Sequence, residues 1–172
     1  MGTIRVNGST SGYVELAAPA VAGSTVLTLP ATTGTVAVQG EAYGRSATAT
    51  VATSESTTST SYTDLATAGP AVTVTTGTKA LVIITARLAN SGTPQSAWAS
   101  FAVSGATTVA ADDAWQLMVQ AAVGSMPILR MDASTLITGL TAGSNTFTMK
   151  YKVSANTGTY EKRNIVVIDM GS

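Results

Sequence analysis

The sequence predicts an all-β protein, with an extended N-terminal β-arm followed by an antiparallel β-sandwich of jelly-roll or Greek-key type. Short stretches rich in Val, Ile and Thr follow one another along the chain, separated by Gly, Pro, Asn and Ser. No series of helical segments alternates with these stretches, as a parallel βαβ arrangement would require. Charged residues make up only 10% of the chain and hydrophobic residues 45%, a composition that favours strands over disorder.

The first forty residues contain four short apolar stretches that are typical of strands. They are Ile4–Val6, Val14–Leu16, Val26–Leu29 and Val36–Val38, and turn-forming residues separate them. Strands this short form only marginally stable hairpins in water. We therefore expect them to find partners on another surface.

A hinge is predicted over residues 41–45, where two charged residues flank a glycine. It divides the chain into an N-terminal arm, residues 1–40, and a sandwich domain, residues 46–172. Ala47, Ala49 and Val51 alternate with threonines, which indicates the first strand of the sandwich. The Ser- and Thr-rich run that follows is predicted to be an extended edge segment.

The remaining strands of the sandwich are predicted from alternation and from apolar runs. They lie around Val72–Val74, over Lys79–Ala89, Ala97–Val103, Met126–Met131 and Phe147–Val153, and over Asn164–Met170. Lys79–Ala89 is apolar on both faces in its middle, which predicts a central strand covered on both sides. The segment Leu136–Asn145 is predicted to be a loop because it is rich in Gly, Thr, Ser and Asn.

The segment Asp112–Val123 fits two patterns. Apolar residues at helical spacing follow Asp112, which could serve as a helix N-cap, while Leu117, Val119 and Ala121 alternate as in a strand. The strand is favoured because its neighbours are β. The Asp112–Asp113 pair could contribute to a calcium site, but its spacing matches no EF-hand loop, and a loop or cap role is the simpler interpretation.

Composition excludes several classes of function. The chain has no Cys and no His, so thiolate zinc sites, Cys nucleophiles and imidazole bases are excluded, and neither catalysis nor a cofactor or metal is predicted. Nine basic residues balance nine acidic ones, so the positive field that nucleic-acid binding requires is missing. The longest apolar runs, Ala80–Ile84 and Ile165–Ile168, are far shorter than a membrane span, so no membrane partner is expected.

A few charged and aromatic residues are candidates for recognition. Trp98 and Trp115, with the loop Asn90–Gln95, could form a glycan-binding site, although tryptophans are equally common at subunit interfaces. Glu161-Lys162-Arg163, together with Lys150 and Lys152, could meet an acidic partner. Edge charges that discourage strand-to-strand aggregation explain Glu161-Lys162-Arg163 equally well, and they are the favoured interpretation of Lys150 and Lys152.

The N-terminal arm carries two motifs, Gly-Ser-Thr-Ser-Gly-Tyr-Val-x-Leu over 8–16 and Leu-Thr-Leu-Pro-x-x-Thr-Gly-Thr-x-Ala over 27–37. In these motifs the arm resembles the N-terminal segment of tailed-bacteriophage fibre and head-decoration proteins. The rest of the chain is similar to β-sandwich domains of phage virion proteins. That similarity lies in Tyr62–Leu65, Gly77–Val82, Val103–Ala106, Gly139–Phe147, Tyr151–Val153 and Arg163–Val167.

The resemblance implies a non-catalytic structural protein of the virion surface, made in the host cytoplasm and assembled as a homotrimer. Its arm would anchor to the major capsid protein, as in a capsid decoration (cement) or head-fibre protein, and its sandwich would project outward. A short tail fibre or tail tip that binds a receptor or glycan, with a tail protein as partner, is the alternative. The anchoring residues would be Ile4, Val6, Tyr13, Val14, Leu16, Val26, Leu27, Leu29, Val36 and Val38.

Overall fold

The structure, a computed structural model, describes residues 3–7, 10–17, 45–120 and 128–171. The chain divides into two compact units, Met1–Val36 and Ala37–Ser172. The described residues are nearly all-β, and their pairing is antiparallel throughout, which confirms the predicted fold class at that level. No helix among these residues is long and apolar enough to cross a membrane.

The described part of the first unit is a two-stranded antiparallel hairpin. Strand β1 spans Thr3–Asn7 and strand β2 spans Tyr13–Ala17. The two pair with each other, with Ile4 opposite Leu16. The sequence alone did not predict this pairing, because each stretch by itself is too short to indicate its partner. The other predicted arm strands, Val26–Leu29 and Val36–Val38, and the hinge up to residue 44 lie outside the described residues.

The second unit contains nine strands among its described residues. They are β3 (Ser46–Val51), β4 (Glu55–Thr57), β5 (Ala71–Thr76), β6 (Lys79–Asn90), β7 (Ser96–Gly105), β8 (Leu117–Gln120), β9 (Leu129–Thr138), β10 (Gly143–Val153) and β11 (Gly158–Asp169). A single 3-10 turn, Asp113–Trp115, precedes β8. Alternating Val, Thr and Ala residues form these strands because branched side chains fit a pleated, half-buried surface.

The nine strands form two antiparallel sheets. The first has the order β5-β10-β7-β8 and the second the order β3-β11-β6-β9. Strand β4 joins the second sheet along the same edge of β11 as β3, opposite the N-terminal half of β11. Many neighbours in the sheets are far apart in sequence, so both sheets depend on long-range pairing.

The inner faces of the two sheets contribute to one hydrophobic core. Every second residue of β6 and β10 is buried, as a strand with one covered face requires. The largest apolar side chains in the core include Ile84, Leu88, Phe101, Phe147, Met149, Ile165 and Val167. Each such side chain contributes about 1.5–3 kcal/mol to stability when it is removed from water.

Several boundaries differ from the sequence prediction. Strand β6 is central, between β11 and β9, but its outward residues are only half-buried, so it is not fully covered on both sides. Strand β9 continues to Thr138 and β10 begins at Gly143, which leaves a loop much shorter than Leu136–Asn145. Glycines had suggested that loop, yet Gly143 lies inside a strand, in a positive-φ conformation that a glycine adopts without strain.

The ambiguous segment from Asp112 contains both kinds of local structure. Asp112 caps the 3-10 turn by accepting a hydrogen bond from the Ala114 backbone N–H at 2.7 Å. The favoured strand is confirmed for Leu117–Gln120. Residues 121–127 lie outside the described part of the chain.

The interpretation of Glu161-Lys162-Arg163 as charges on an edge strand is wrong. Strand β11 lies inside its sheet, and between Glu161 and Asn164 its register with β6 shifts. Lys162 has a positive φ of 50° at this bulge. A β-bulge redirects the side chains beside it, and Arg163 is consequently completely buried.

Candidate binding groove on the four-stranded sheet

A groove of about 540 Å³ lies on the outer face of the four-stranded sheet, above strands β7 and β10. Its lining residues are Thr60, Ser61, Tyr62, Ala102, Ala110, Ala111, Lys150 and Lys152. Lys150 and Lys152 point outward because Met149, Tyr151 and Val153, which alternate with them, fill the core. The groove therefore has a floor of sheet residues and walls made by two loops.

The first wall is the segment 59–63, which backbone hydrogen bonds hold against β10. The Val153 N–H donates to the Ser59 carbonyl at 2.8 Å. Thr63 and Tyr151 exchange two backbone hydrogen bonds, each of 3.0 Å. The pairing of β5 with β10 ends at Thr148, so this segment continues the sheet where β5 stops.

The second wall is the segment 109–112, which is held against β7 in the same way. Val103 and Val109 exchange backbone hydrogen bonds of 2.8 and 2.9 Å. The Ser100 hydroxyl donates to the Asp112 carbonyl at 2.7 Å. Because main-chain bonds fix both walls, the groove is formed before any ligand arrives.

A side-chain bridge connects the two walls. The Tyr62 hydroxyl, from the first wall, donates to Oδ1 of Asp113 at 2.8 Å, just beyond the second. The Lys152 ammonium lies 2.6 Å from the same oxygen. This ammonium also lies 4.6 Å from the ring centroid of Tyr62 and 5.2 Å from that of Trp98, both within the range of cation–π attraction.

The bridge changes the ionisation of its members. Lys152 and then Tyr62 stabilise the Asp113 carboxylate through hydrogen bonds, and they hold its pKa below the ordinary value. Burial, followed by the hydrogen bond to Asp113, raises the pKa of the Tyr62 phenol. Near neutral pH Tyr62 is thus a neutral phenol and Asp113 a carboxylate.

The second lysine of the groove has a carboxylate partner of its own. Lys150 lies 2.7 Å from Oδ2 of Asp64, whose side chain is 42% exposed. Asp113 is more exposed still, at 58%. The Lys150 and Lys152 side chains are only 23% and 17% exposed, but both carboxylates reach solvent, so another anion can take the place of either aspartate.

A buried ion pair anchors the loop that carries the first wall. Glu55 accepts hydrogen bonds from the Thr67 hydroxyl at 2.5 Å and from the Thr67 backbone N–H, so its carboxylate closes the loop from 55 to 67. Arg163 lies 2.9 Å from Glu55 and also donates to the carbonyls of Thr67 and Gly69. The pKa of Glu55 is held below its ordinary value, chiefly by the Thr67 hydroxyl, with Arg163 contributing.

The structure does not bring the two predicted tryptophans together. Trp98 lies on the outer face of β7, beside Lys152, whereas the Trp115 ring stacks on Phe101 of the core with centroids 5.1 Å apart. Asn90, from the predicted loop, is buried and donates to the carbonyls of Ser96 and Ala155. Trp98 and Trp115 therefore face different sides of β7, and the glycan site predicted from them and the loop Asn90–Gln95 stays a prediction.

Sequence reasoning missed most of the groove. Lys150 and Lys152 were recognised as outward residues of one strand, but only the fold places Tyr62 and Asp113, which are 51 positions apart, beside them. The alternation of Lys150 and Lys152 was the one usable signal. No local pattern identifies Tyr62, because its role depends on a contact with a distant loop.

The described arm residues lie on the hairpin. Ile4 and Val6 belong to β1, and Tyr13, Val14 and Leu16 belong to β2. The side chains of Val6 and Tyr13 are 59% and 56% exposed. Val26, Leu27, Leu29, Val36 and Val38 lie outside the described residues.

Neither a metal site in the described part of the chain nor a similar protein points to a chemical function. Among the described residues, no group of three or more acidic side chains is close enough to hold a metal ion. No protein-family model matches the chain, and no curated protein matches it in sequence.

Proposed function

We propose that the protein is a non-catalytic structural component of a tailed-phage virion, of the capsid decoration or head-fibre type. The observation that carries the proposal is the N-terminal hairpin, in which the Tyr-Val-x-Leu end of the Gly-Ser-Thr-Ser-Gly-Tyr-Val-x-Leu motif lies in strand β2. This motif is the most specific part of the resemblance to phage proteins. It belongs to a compact unit distinct from the rest of the chain.

The strand orders of the second unit support a jelly-roll sandwich as its finer architecture. In one sheet β10 separates β5 from β7, and in the other β11 separates β3 from β6. From β5 onward each successive strand lies in the opposite sheet, except that β8 follows β7 in the same sheet. Apart from β4, which pairs with β11 beside β3, these strand orders match those of a jelly roll, an architecture found in viral capsid and lectin domains. A fold alone does not assign a function, so this is supporting evidence only.

Anchoring would use the hairpin as an extension of a sheet in the major capsid protein. Main-chain hydrogen bonds provide affinity in strand addition, and alternate side chains fit pockets of the partner. Val6 and Tyr13 are exposed apolar side chains suited to such pockets. In a homotrimer three arms would bind together, so that weak single contacts add to a firm attachment at the virion surface.

The copy number of this chain in purified particles tests the proposal. Quantitative mass spectrometry against the major capsid protein should give a fixed stoichiometric fraction of the shell protein. A Val6→Ser/Tyr13→Ser double variant should show at least a tenfold lower occupancy, whereas the matched Thr73→Ala/Thr75→Ala variant, on an exposed face of the second unit, should bind normally. Absence of the chain from particles would refute the proposal.

The alternative location is a short tail fibre or tail tip that binds a receptor. The preformed groove favours it, because a purely structural knob needs no such site. A handful of copies per particle in the same measurement would select the tail and a tail protein as partner. A lattice-like stoichiometry would select the capsid.

A further inference from the structure

We propose that the groove between the segments 59–63 and 109–112 binds an acidic saccharide, that is, pyranose rings carrying carboxylate or phosphate groups. This function is independent of anchoring, which uses the other unit of the chain. The volume of the groove, about 540 Å³, lies within the usual range for small-ligand sites. Three features of the groove support the proposal: its two lysines, the chemistry of its lining and its rigid walls.

Two lysines line the groove and can bind an anion. Lys150 and Lys152 are two residues apart on one face of β10, so their Cα atoms are separated by about 7 Å along the strand. Each ammonium already pairs with an exposed carboxylate, Asp64 or Asp113. An incoming anion would replace these carboxylates, which can turn into solvent and remain hydrated. The exchange conserves the number of ion pairs and therefore costs little.

The rest of the lining suits a sugar better than an apolar ligand. Ala102, Ala110 and Ala111 provide small apolar surfaces on which the C–H face of a pyranose ring can lie. Thr60, Ser61 and Tyr62 bring hydroxyl groups to the opposite side, as hydrogen-bond partners for sugar hydroxyls. An apolar ligand would instead require a mainly hydrophobic and aromatic lining.

Rigidity favours binding by a small polar ligand. Both walls are fixed by main-chain hydrogen bonds to β7 and β10, and these bonds stay in place when an anion displaces Asp64 and Asp113. A preformed site loses little conformational entropy on binding. A nucleic acid is a poorer fit, because the chain has no net positive charge to attract an extended phosphate backbone.

Titration calorimetry on the full-length protein tests the proposal with three probes. They are trigalacturonic acid, its fully methyl-esterified form, and mannose 6-phosphate. We expect at least one acidic probe to bind, and which of the two binds identifies the anionic group. The neutral ester should bind at least tenfold more weakly than trigalacturonic acid if the carboxylate is the group recognised. Equal binding of acid and ester, or no binding of either acidic probe, would overturn the proposal.

Variants locate the binding. Lys150→Gln/Lys152→Gln should weaken binding of the acidic probe at least tenfold, and Lys79→Gln/Lys162→Gln, with the same change of charge on the other sheet, should not. Ala110→Phe fills the groove from an exposed position without removing a charge, and it should also weaken binding at least tenfold. Retention of full affinity in Ala110→Phe and in the Lys150/Lys152 variant, both shown to be folded by circular dichroism, would refute the site.

Discussion

The guanidinium of Arg163 is completely buried, and its Nη2 lies 2.9 Å from Oε2 of Glu55, 108 positions earlier in the chain. This ion pair joins the bulge of β11 to the loop that forms the first wall of the groove. Arg163 also lies over the ring of Tyr151, 5.4 Å from its centroid. A charge in this position must keep its partner, since an unpaired buried ion is strongly destabilising.

Glu55→Gln should lower the free energy of unfolding by about 3 kcal/mol, because it leaves the Arg163 charge buried without a counterion. Urea denaturation measures the change. The matched control is Glu161→Gln, which breaks the pair of Glu161 with Arg87, whose side chain is 41% exposed. That control should cost no more than about 1 kcal/mol. Equal losses in the two variants would contradict the special role of the buried pair.

Stability should fall at acid pH through Glu55 and Asp113, whose pKa values are both lowered in the folded protein. Below their unfolded values, 4.5 and 3.8, the unfolded chain binds more protons than the folded one. Their contribution is therefore complete above about pH 5 and lost as pH falls through the lowered folded values. Urea midpoints between pH 7 and pH 2.5 should show this decline, and Glu55→Gln should make it shallower. An unchanged slope in that variant would exclude Glu55 as a source.

Alkaline titration should find three phenols protected. Burial raises the pKa of Tyr62, Tyr151 and Tyr160 above the ordinary value of 10.0. In the folded protein at pH 11, absorbance at 295 nm should lack the contribution of Tyr62, Tyr151 and Tyr160, relative to protein unfolded in urea. Because folding keeps these phenols protonated, stability falls as pH rises above 10. Full ionisation without loss of the far-ultraviolet circular dichroism signal would contradict the burial.

Gly105→Ala should destabilise the fold much more than Gly139→Ala. Both glycines have positive φ, 106° and 76°, so each substitution incurs a backbone cost of about 1 kcal/mol. At Gly105 an added Cβ would also clash with the Ser144 carbonyl oxygen, whereas nothing lies within 4 Å at Gly139. Thermal unfolding of the two variants measures the difference. Equal melting temperatures would mean that the β7–β10 contact adjusts freely.

The sequence predicted the fold class because alternation along single strands is a local signal. Phe147 to Val153 alternate in one segment, and the structure places them as expected, inward for the apolar set and outward for the lysines. The long strand β6 was recognised as central from its apolar run. The prediction that both faces of β6 are covered is wrong, since Leu81 and Ile83 face outward and are only half-buried.

The groove could not be predicted in the same way, because it depends on pairing between distant segments. In the sequence Arg163 is indistinguishable from an exposed charge, but a bulge directs its side chain into the core. No residue pattern predicts that bulge. Tyr62 and Asp113 meet only because separate loops extend neighbouring strands. Trp115 looked available for recognition, but its ring is stacked against Phe101.

The walls of the groove are held by peptide groups, while their side chains at Thr60, Ser61 and Ala110 project from the surface. The hydrogen bonds that hold the walls are made by the backbone of Ser59, Thr63 and Val109. Mutation at the three projecting positions can thus change the chemistry offered to a ligand without disturbing the sheet beneath. If the groove binds an acidic saccharide as proposed, a lineage of such proteins could shift from one saccharide to another by a few codon changes, with its scaffold inherited intact.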